Sequence, residues 1–146
     1  MTQSRESASK LTTASGKFLL DTSIIIAVLK GDELVVSNLN RVSEVFVPAV
    51  ALGELFFGAA RSSRPSENWI RIERFASGRT IIVCDLYVAR EYGQLKQRLK
   101  EKGRPIPEND MWIAAAAKHH GMILVTRDGH FGEIEDLQTA DWASLV

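Results

Sequence analysis

Four short apolar runs, the first three each followed by a stretch with helical periodicity, restrict this chain to one kind of architecture. Phe18-Leu19-Leu20 stops at Asp21-Thr22-Ser23, a turn and helix-start signal. Ile24 to Lys30 then reads as a helix closed by Gly31, and Glu33 to Arg41 as another. Val45-Phe46-Val47 ends at Pro48, and Leu52, Leu55, Phe56 and Ala59 share one face of a helix from about Ala49 to Ala60. Pro65 opens a further helix through Trp69, Ile72 and Phe75, closed near Gly78. Thr80 to Val83 is the third run. Val88, Tyr92, Leu95 and Leu99 mark a long amphipathic helix that stops before Gly103 and Pro105. Pro107 opens the next helix, which carries Ile113 and the alanines 114 to 117 and ends at Gly121. Met122 to Thr126 is the fourth run, and Leu137-Gln138-Thr139 a candidate fifth.

Apolar strands alternating with helices require parallel pairing, with helices over both faces of the sheet. Right-handed crossovers then give a three-layer α/β/α sandwich. The expectation is one α/β domain over residues 17–146, with a central, mostly parallel sheet of four to five strands. Residues 1–16 are rich in Ser and Thr and contain a single Leu, and are expected to form a flexible tail outside the fold. They lack the apolar segment of a secretory signal. No apolar run approaches the roughly 18–20 residues of a membrane span, so a cytoplasmic protein with no membrane contact is expected.

Charge is informative by position rather than by sum. The 18 basic and 18 acidic residues cancel, which argues against coating nucleic acid by charge alone. Residues 61 to 104, however, carry 11 Lys and Arg against 5 Asp and Glu, and residues 105 to 146 carry 2 against 7. The middle is basic and the end acidic. Cys84 is the single cysteine, which excludes an internal disulfide. It closes the run Ile81-Ile82-Val83-Cys84, so an inert core thiol is expected.

Four carboxylates stand out. Asp21 directly follows the first strand, and Asp128 follows the fourth in Thr126-Arg127-Asp128-Gly129. Each has an ordinary explanation, a helix cap for the first and an Asp-Gly turn for the second. Glu54 lies among apolar neighbours one residue from its helix's packing face, where a carboxylate is costly unless paired or bound to a cation. Asp110 falls in the first turn of its helix, a position the helix dipole favours. In an open parallel sheet, side chains just past the strand ends gather at one edge, where ligands bind. If these elements share that edge, four carboxylates face one pocket with no lysine or arginine between them. Such a cluster takes up protons unless a divalent cation holds it ionised, and all-oxygen donors select Mg²⁺ or Mn²⁺.

These residues carry a resemblance. Leu19-Leu20-Asp21-Thr22-Ser23 with Ile25, Val47-Pro48 with Gly53-Glu54-Leu55, Asn109-Asp110-Met111-Trp112-Ile113-Ala114-Ala115, and Thr126-Arg127-Asp128 with Phe131 stand in the order and spacing of the PIN-domain nucleases. The sequence resembles most of all the VapC-type toxins of bacterial toxin–antitoxin pairs. Position by position, Asp21, Glu54, Asp110 and Asp128 match that family's acidic quartet. Thr22 or Ser23, Asn109 and Thr126 fall where it has polar residues around the quartet. The resemblance implies a Mg²⁺- or Mn²⁺-dependent ribonuclease in which a metal-activated water attacks the phosphodiester, leaving a 5′-phosphate and a 3′-hydroxyl. It also implies a homodimer and a small cognate antitoxin that threads a segment along the toxin groove. RNA affinity would come from the basic middle, with Arg61, Arg64, Lys100 and Arg104 as candidate contacts; His130 is a further candidate for touching substrate. The apolar stripes Ile24 to Leu29 and Leu52 to Phe57 suit either the core or a dimer interface.

Rival readings lack residues they need. A haloacid-dehalogenase-type phosphatase wants a second Asp two positions after Asp21, where Ser23 stands. A receiver domain wants paired acids before the Asp21 strand and a Lys at the end of the last strand. A degenerate PIN domain acting as a non-catalytic RNA-binding or scaffolding module is the remaining alternative, and the intact quartet weighs against it.

Overall fold

The computed structural model describes residues 16–143. The tail expected over residues 1–16 lies, but for Gly16, outside them. Among the described residues, five strands and six helices follow one another in a largely alternating order. They are β1 (Lys17–Leu20), α1 (Thr22–Leu29), α2 (Glu33–Arg41), β2 (Glu44–Pro48), α3 (Ala49–Ala60), α4 (Pro65–Ala76), β3 (Thr80–Ile82), α5 (Leu86–Glu101), α6 (Glu108–His120), β4 (Ile123–Val125) and β5 (Thr139–Ala140). A short 3₁₀ helix spans Gly129–Glu133.

All pairings are parallel, in the order β3-β2-β1-β4-β5. The chain builds outward from β1 through β2 to β3, then returns to add β4 on the other flank of β1. Connections therefore reverse direction between β1 and β4, and the crevice beyond their carboxyl ends is the topological switch point. Leu19, Leu20, Leu124 and Val125 are fully buried because these central strands are covered on both faces. That is why they read as continuous apolar runs.

The helices supply the two outer layers. Ile24, Ile25 and Ala27 of α1 and Ala51, Leu55 and Ala59 of α3 are buried. Ile26 and Phe57 are exposed, so only part of each apolar stripe is core. Tyr92 of α5 stacks on Trp112 of α6 with ring centroids 3.8 Å apart and planes within 4°. Small side chains from Ala114 to Ala117 let α6 lie buried against the sheet. It closes at Gly121, whose φ of 63° is the left-handed cap glycine accepts without a Cβ penalty.

The basic and acidic halves meet in space. Lys96 pairs with Glu108 at 3.2 Å, Lys102 with Glu135 at 2.7 Å and Arg104 with Glu133 at 3.3 Å. Part of the charge segregation read along the chain is thus complementary pairing between the end of α5 and the acidic C-terminal third.

Cys84 corrects an expectation. β3 ends at Ile82, and the chain leaves the sheet there, so Val83 is 59% exposed and Cys84 is exposed as well. The run is apolar, but β3 is an edge strand only three residues long, and the last two side chains of the run fall outside it. Partial burial and the neighbouring Asp85 push the thiol pKa up, so it is accessible but a poor nucleophile near neutrality. We expect a maleimide to label one thiol per native chain without denaturant, at a rate that rises with pH; protection until unfolding would contradict this placement.

Candidate active site

Asp21 stands at the end of the central strand and is 4% exposed. Its backbone N–H donates to the Val125 carbonyl at 2.9 Å, which ties the ends of β1 and β4 together. It caps α1, with Oδ1 accepting from the Thr22 N–H at 2.8 Å. Oδ2 accepts from the Ser23 hydroxyl at 3.2 Å and the Thr126 hydroxyl at 2.8 Å. Thr126, itself buried, accepts in turn from the Asp128 backbone N–H at 2.9 Å. A hydroxyl has one proton to give, and here it goes to Asp21. Both Asp21 oxygens therefore accept, and their orientation is fixed. Burial pushes the Asp21 carboxyl pKa up, against the hydrogen bonds from Thr126, Thr22 and Ser23 that lower it; the charge on Asp128 raises it further.

Glu54 comes from the first half of α3. Its Oε1 accepts from the Thr22 hydroxyl at 2.9 Å, so a residue next to Asp21 holds a carboxylate 32 positions later in sequence. Asp128 caps the 3₁₀ helix through the His130 N–H at 2.9 Å. The cap expected of Asp21 holds, and where a plain Asp-Gly turn was the ordinary explanation for Asp128 the structure shows a cap of the 3₁₀ helix; both carboxylates stand at the switch point all the same.

Asp110 lies half-buried in the first turn of α6. Burial first, and then the charges of Asp21, Asp128 and Glu54, push its pKa up to about 6, with His130 acting the other way. Asp110 therefore feels the charges of three other carboxylates, each brought from a separate segment of the chain. Asp110, Asp128 and His130 each offer an atom to one point, all within 4.8 Å of one another.

The other sequence candidates fall in different places. Asn109 is exposed beside Asp110, with no hydrogen bond to the carboxylates among the described residues. Arg61 lies over the exposed Phe57 ring at 5.2 Å. Arg64 pairs with Glu67 at 3.4 Å and Arg104 with Glu133, while Lys100 is exposed on α5. Such surface pairs contribute about 0–1 kcal/mol, so these side chains can exchange a carboxylate for a phosphate at little cost. Arg127, the one base inside the Thr126–Asp128 segment, pairs with Asp32 at 3.0 Å, and no sequence spacing announces that partner. A groove of about 500 Å³ adjoins the cluster between α1, α3 and α4. Thr22 and Glu54 line it together with Ile26, Leu55, Ile72 and Arg71.

A family model for the PIN domain matches residues 18–137. The chain belongs to the PIN domain family. Its relatives in that family include Ribonuclease VapC2 of Haemophilus influenzae, 36% identical over 129 residues that span 86% of this chain and 98% of that protein. The tRNA(fMet)-specific endonuclease VapC of Shigella flexneri is 35% identical over 131 residues, 87% of this chain and 98% of that one. Among solved structures, DNA-bound VapBC from Salmonella typhimurium contains a chain that superposes with a TM-score of 0.81 at 32% identity, covering 88% of this chain and 99% of its own. The resemblance drawn from four short motifs is thus to the family that nearly the whole chain matches. In this PIN domain the crevice at the β1–β4 switch point carries the acidic side chains, and no described helix is long and apolar enough to cross a membrane.

Proposed function

We propose that this PIN domain is the toxin of a toxin–antitoxin pair, a ribonuclease that needs Mg²⁺ or Mn²⁺. The observation that carries the reading is the convergence of Asp21, Glu54, Asp110 and Asp128 in one crevice of a fold whose relatives are named as ribonucleases. The donor set suits a hard divalent cation. Its donors are carboxylate oxygens, and the repulsion that raises the Asp110 pKa is what a cation relieves. Asp21, Glu54, Asp110 and Asp128 would hold the ion. When bound, such an ion acidifies water and neutralises charge on a phosphodiester.

The protein's own contribution is to fix these groups beforehand. Thr126 and Ser23 orient Asp21, Thr22 orients Glu54, and the Thr126 hydroxyl sets the backbone of Asp128 relative to Asp21. Such supporting bonds hold donors in place so that no reorganisation is needed when substrate arrives. The pocket's own charge repels RNA, so substrate is gripped from outside it, by Arg61, Arg64, Lys100, Arg104 and their neighbours. These contacts to phosphate give affinity that falls with salt and carry little sequence information.

An antitoxin is the second partner, as in the VapBC complexes of the structural neighbours. The groove beside Thr22 and Glu54, apolar along Ile26, Leu55 and Ile72, suits a segment of such a protein. A second copy of this chain would use exposed apolar residues such as Phe57, Trp69 and Ile70. The domain extends over residues 17–146 and acts in the cytoplasm.

The test is direct. Purified protein freed of metal with EDTA should leave total RNA intact, and adding Mg²⁺ or Mn²⁺ should restore cleavage to fragments with 5′-phosphate ends. Cleavage that persists in excess EDTA would reject the metal-dependent reading; no cleavage under any metal would favour the scaffold.

A further inference from the structure

One nitrogen sits among the oxygens. His130 follows Asp128 by two residues in the 3₁₀ helix, and its N–H bond to the Asp128 carboxylate sets the turn. Its ring is no core histidine, since the side chain is 58% exposed. Nδ1 lies 3.0 Å from Asp128 Oδ1 and 4.0 Å from Asp110 Oδ2. Two donors on one octahedral ion with bonds of about 2.1 Å stand about 3 Å apart when adjacent and about 4.2 Å apart when opposite. Both Nδ1 distances fall in that range, and the three donor atoms lie within 4.8 Å of one another.

Building on the metal-dependent reading above, we propose that His130 joins Asp110 and Asp128 in a mixed nitrogen–oxygen site that selects a first-row transition ion such as Mn²⁺ over Mg²⁺. Mg²⁺ prefers oxygen and sheds water reluctantly, so an imidazole adds little to its binding. Transition ions accept imidazole nitrogen, with affinity rising along the series from Mn²⁺. Coordination needs the neutral ring with its hydrogen on Nε2, leaving the Nδ1 lone pair for the ion. Without an ion, the tautomer with its hydrogen on Nδ1 donates to the Asp128 carboxylate at 3.1 Å, and binding an ion moves that hydrogen to Nε2. The turn therefore delivers the ring whether or not metal is present.

Calorimetric titration of the metal-free protein with Mn²⁺ and with Mg²⁺ tests the selectivity, in wild type, His130→Ala and Asp110→Asn. We expect His130→Ala to weaken Mn²⁺ binding about tenfold and Mg²⁺ binding by less than about twofold. Pulsed electron paramagnetic resonance of the Mn²⁺ form should show ¹⁴N modulation from a directly bound imidazole, lost in His130→Ala. An unchanged ratio of Mn²⁺ to Mg²⁺ affinity with no ¹⁴N signal would overturn the proposal. If Asp110→Asn then still lost binding, the carboxylate site would stand without its histidine. If wild type bound neither ion, the metal reading itself would fail along with it.

Discussion

Asp110→Asn is expected to lower metal-dependent RNA cleavage by at least about 10²-fold while making the metal-free protein more stable. The two effects have one cause. Asp110 is the carboxylate whose charge the fold tolerates least, with a pKa lifted from 3.8 to about 6 by burial and by three like charges. A raised carboxyl pKa means that the folded state binds the proton more tightly than the unfolded chain does. Asp110 then costs nothing below about pH 3.8, where both states are protonated. Its penalty grows between pH 3.8 and about 6 and is fully present above that. Chemical denaturation of wild type and variant should therefore show nearly equal stability near pH 4 and a clear advantage for Asp110→Asn at pH 7. Adding Mg²⁺ or Mn²⁺ should stabilise wild type and not the variant. A variant less stable than wild type at pH 7 would show that Asp110 is held by attraction, and the repulsive cluster would have to be abandoned. Asp21→Asn is not an equivalent experiment. Both Asp21 oxygens accept hydrogen bonds, and an amide can accept through only one of its two terminal atoms.

Thr126→Val should destabilise the protein by about 2–4 kcal/mol and slow cleavage by about 10- to 100-fold, although it changes little in volume. The hydroxyl does two things at once: it donates to the buried Asp21 and accepts from the Asp128 N–H. Valine removes a charge-assisted bond from a carboxylate that is 4% exposed and leaves a backbone donor unpaired. Thr126→Ser, which keeps the hydroxyl, should recover most of both losses. Equal damage from Val and Ser would assign the effect to the methyl group's packing, and the linkage between the two aspartates would carry no weight.

The fold was legible because its signals are local and redundant. The helix over residues 49–60 and the one over 33–41 stand where periodicity, Pro48 and Gly31 put them. β1 and β4 declare themselves as apolar runs because a central parallel strand is buried on both faces. Cys84 marks the limit of that signal. Composition reports that a run is apolar, but its exposure depends on where an edge strand stops, and that is set by the register Phe46↔Thr80 to Pro48↔Ile82. The basic segment was half legible. Its excess charge is plain in sequence, yet the partners Glu133 and Glu135 of Arg104 and Lys102 lie about 30 residues away and follow no helical or strand spacing.

The acidic crevice divides in the same way. Sequence by itself determined that Asp21 and Asp128 follow strands, that Asp110 opens a helix and that Glu54 sits uneasily among apolar neighbours, because each of these is a statement about adjacent residues. Only the tertiary structure decided that they are neighbours. The strand order puts β4 beside β1, the Thr126 hydroxyl joins two aspartates 107 positions apart, and Thr22 reaches Glu54 from another helix. Electrostatic repulsion depends on distance through space, so the shared burden that lifts the Asp110 pKa exists only once the sheet is assembled.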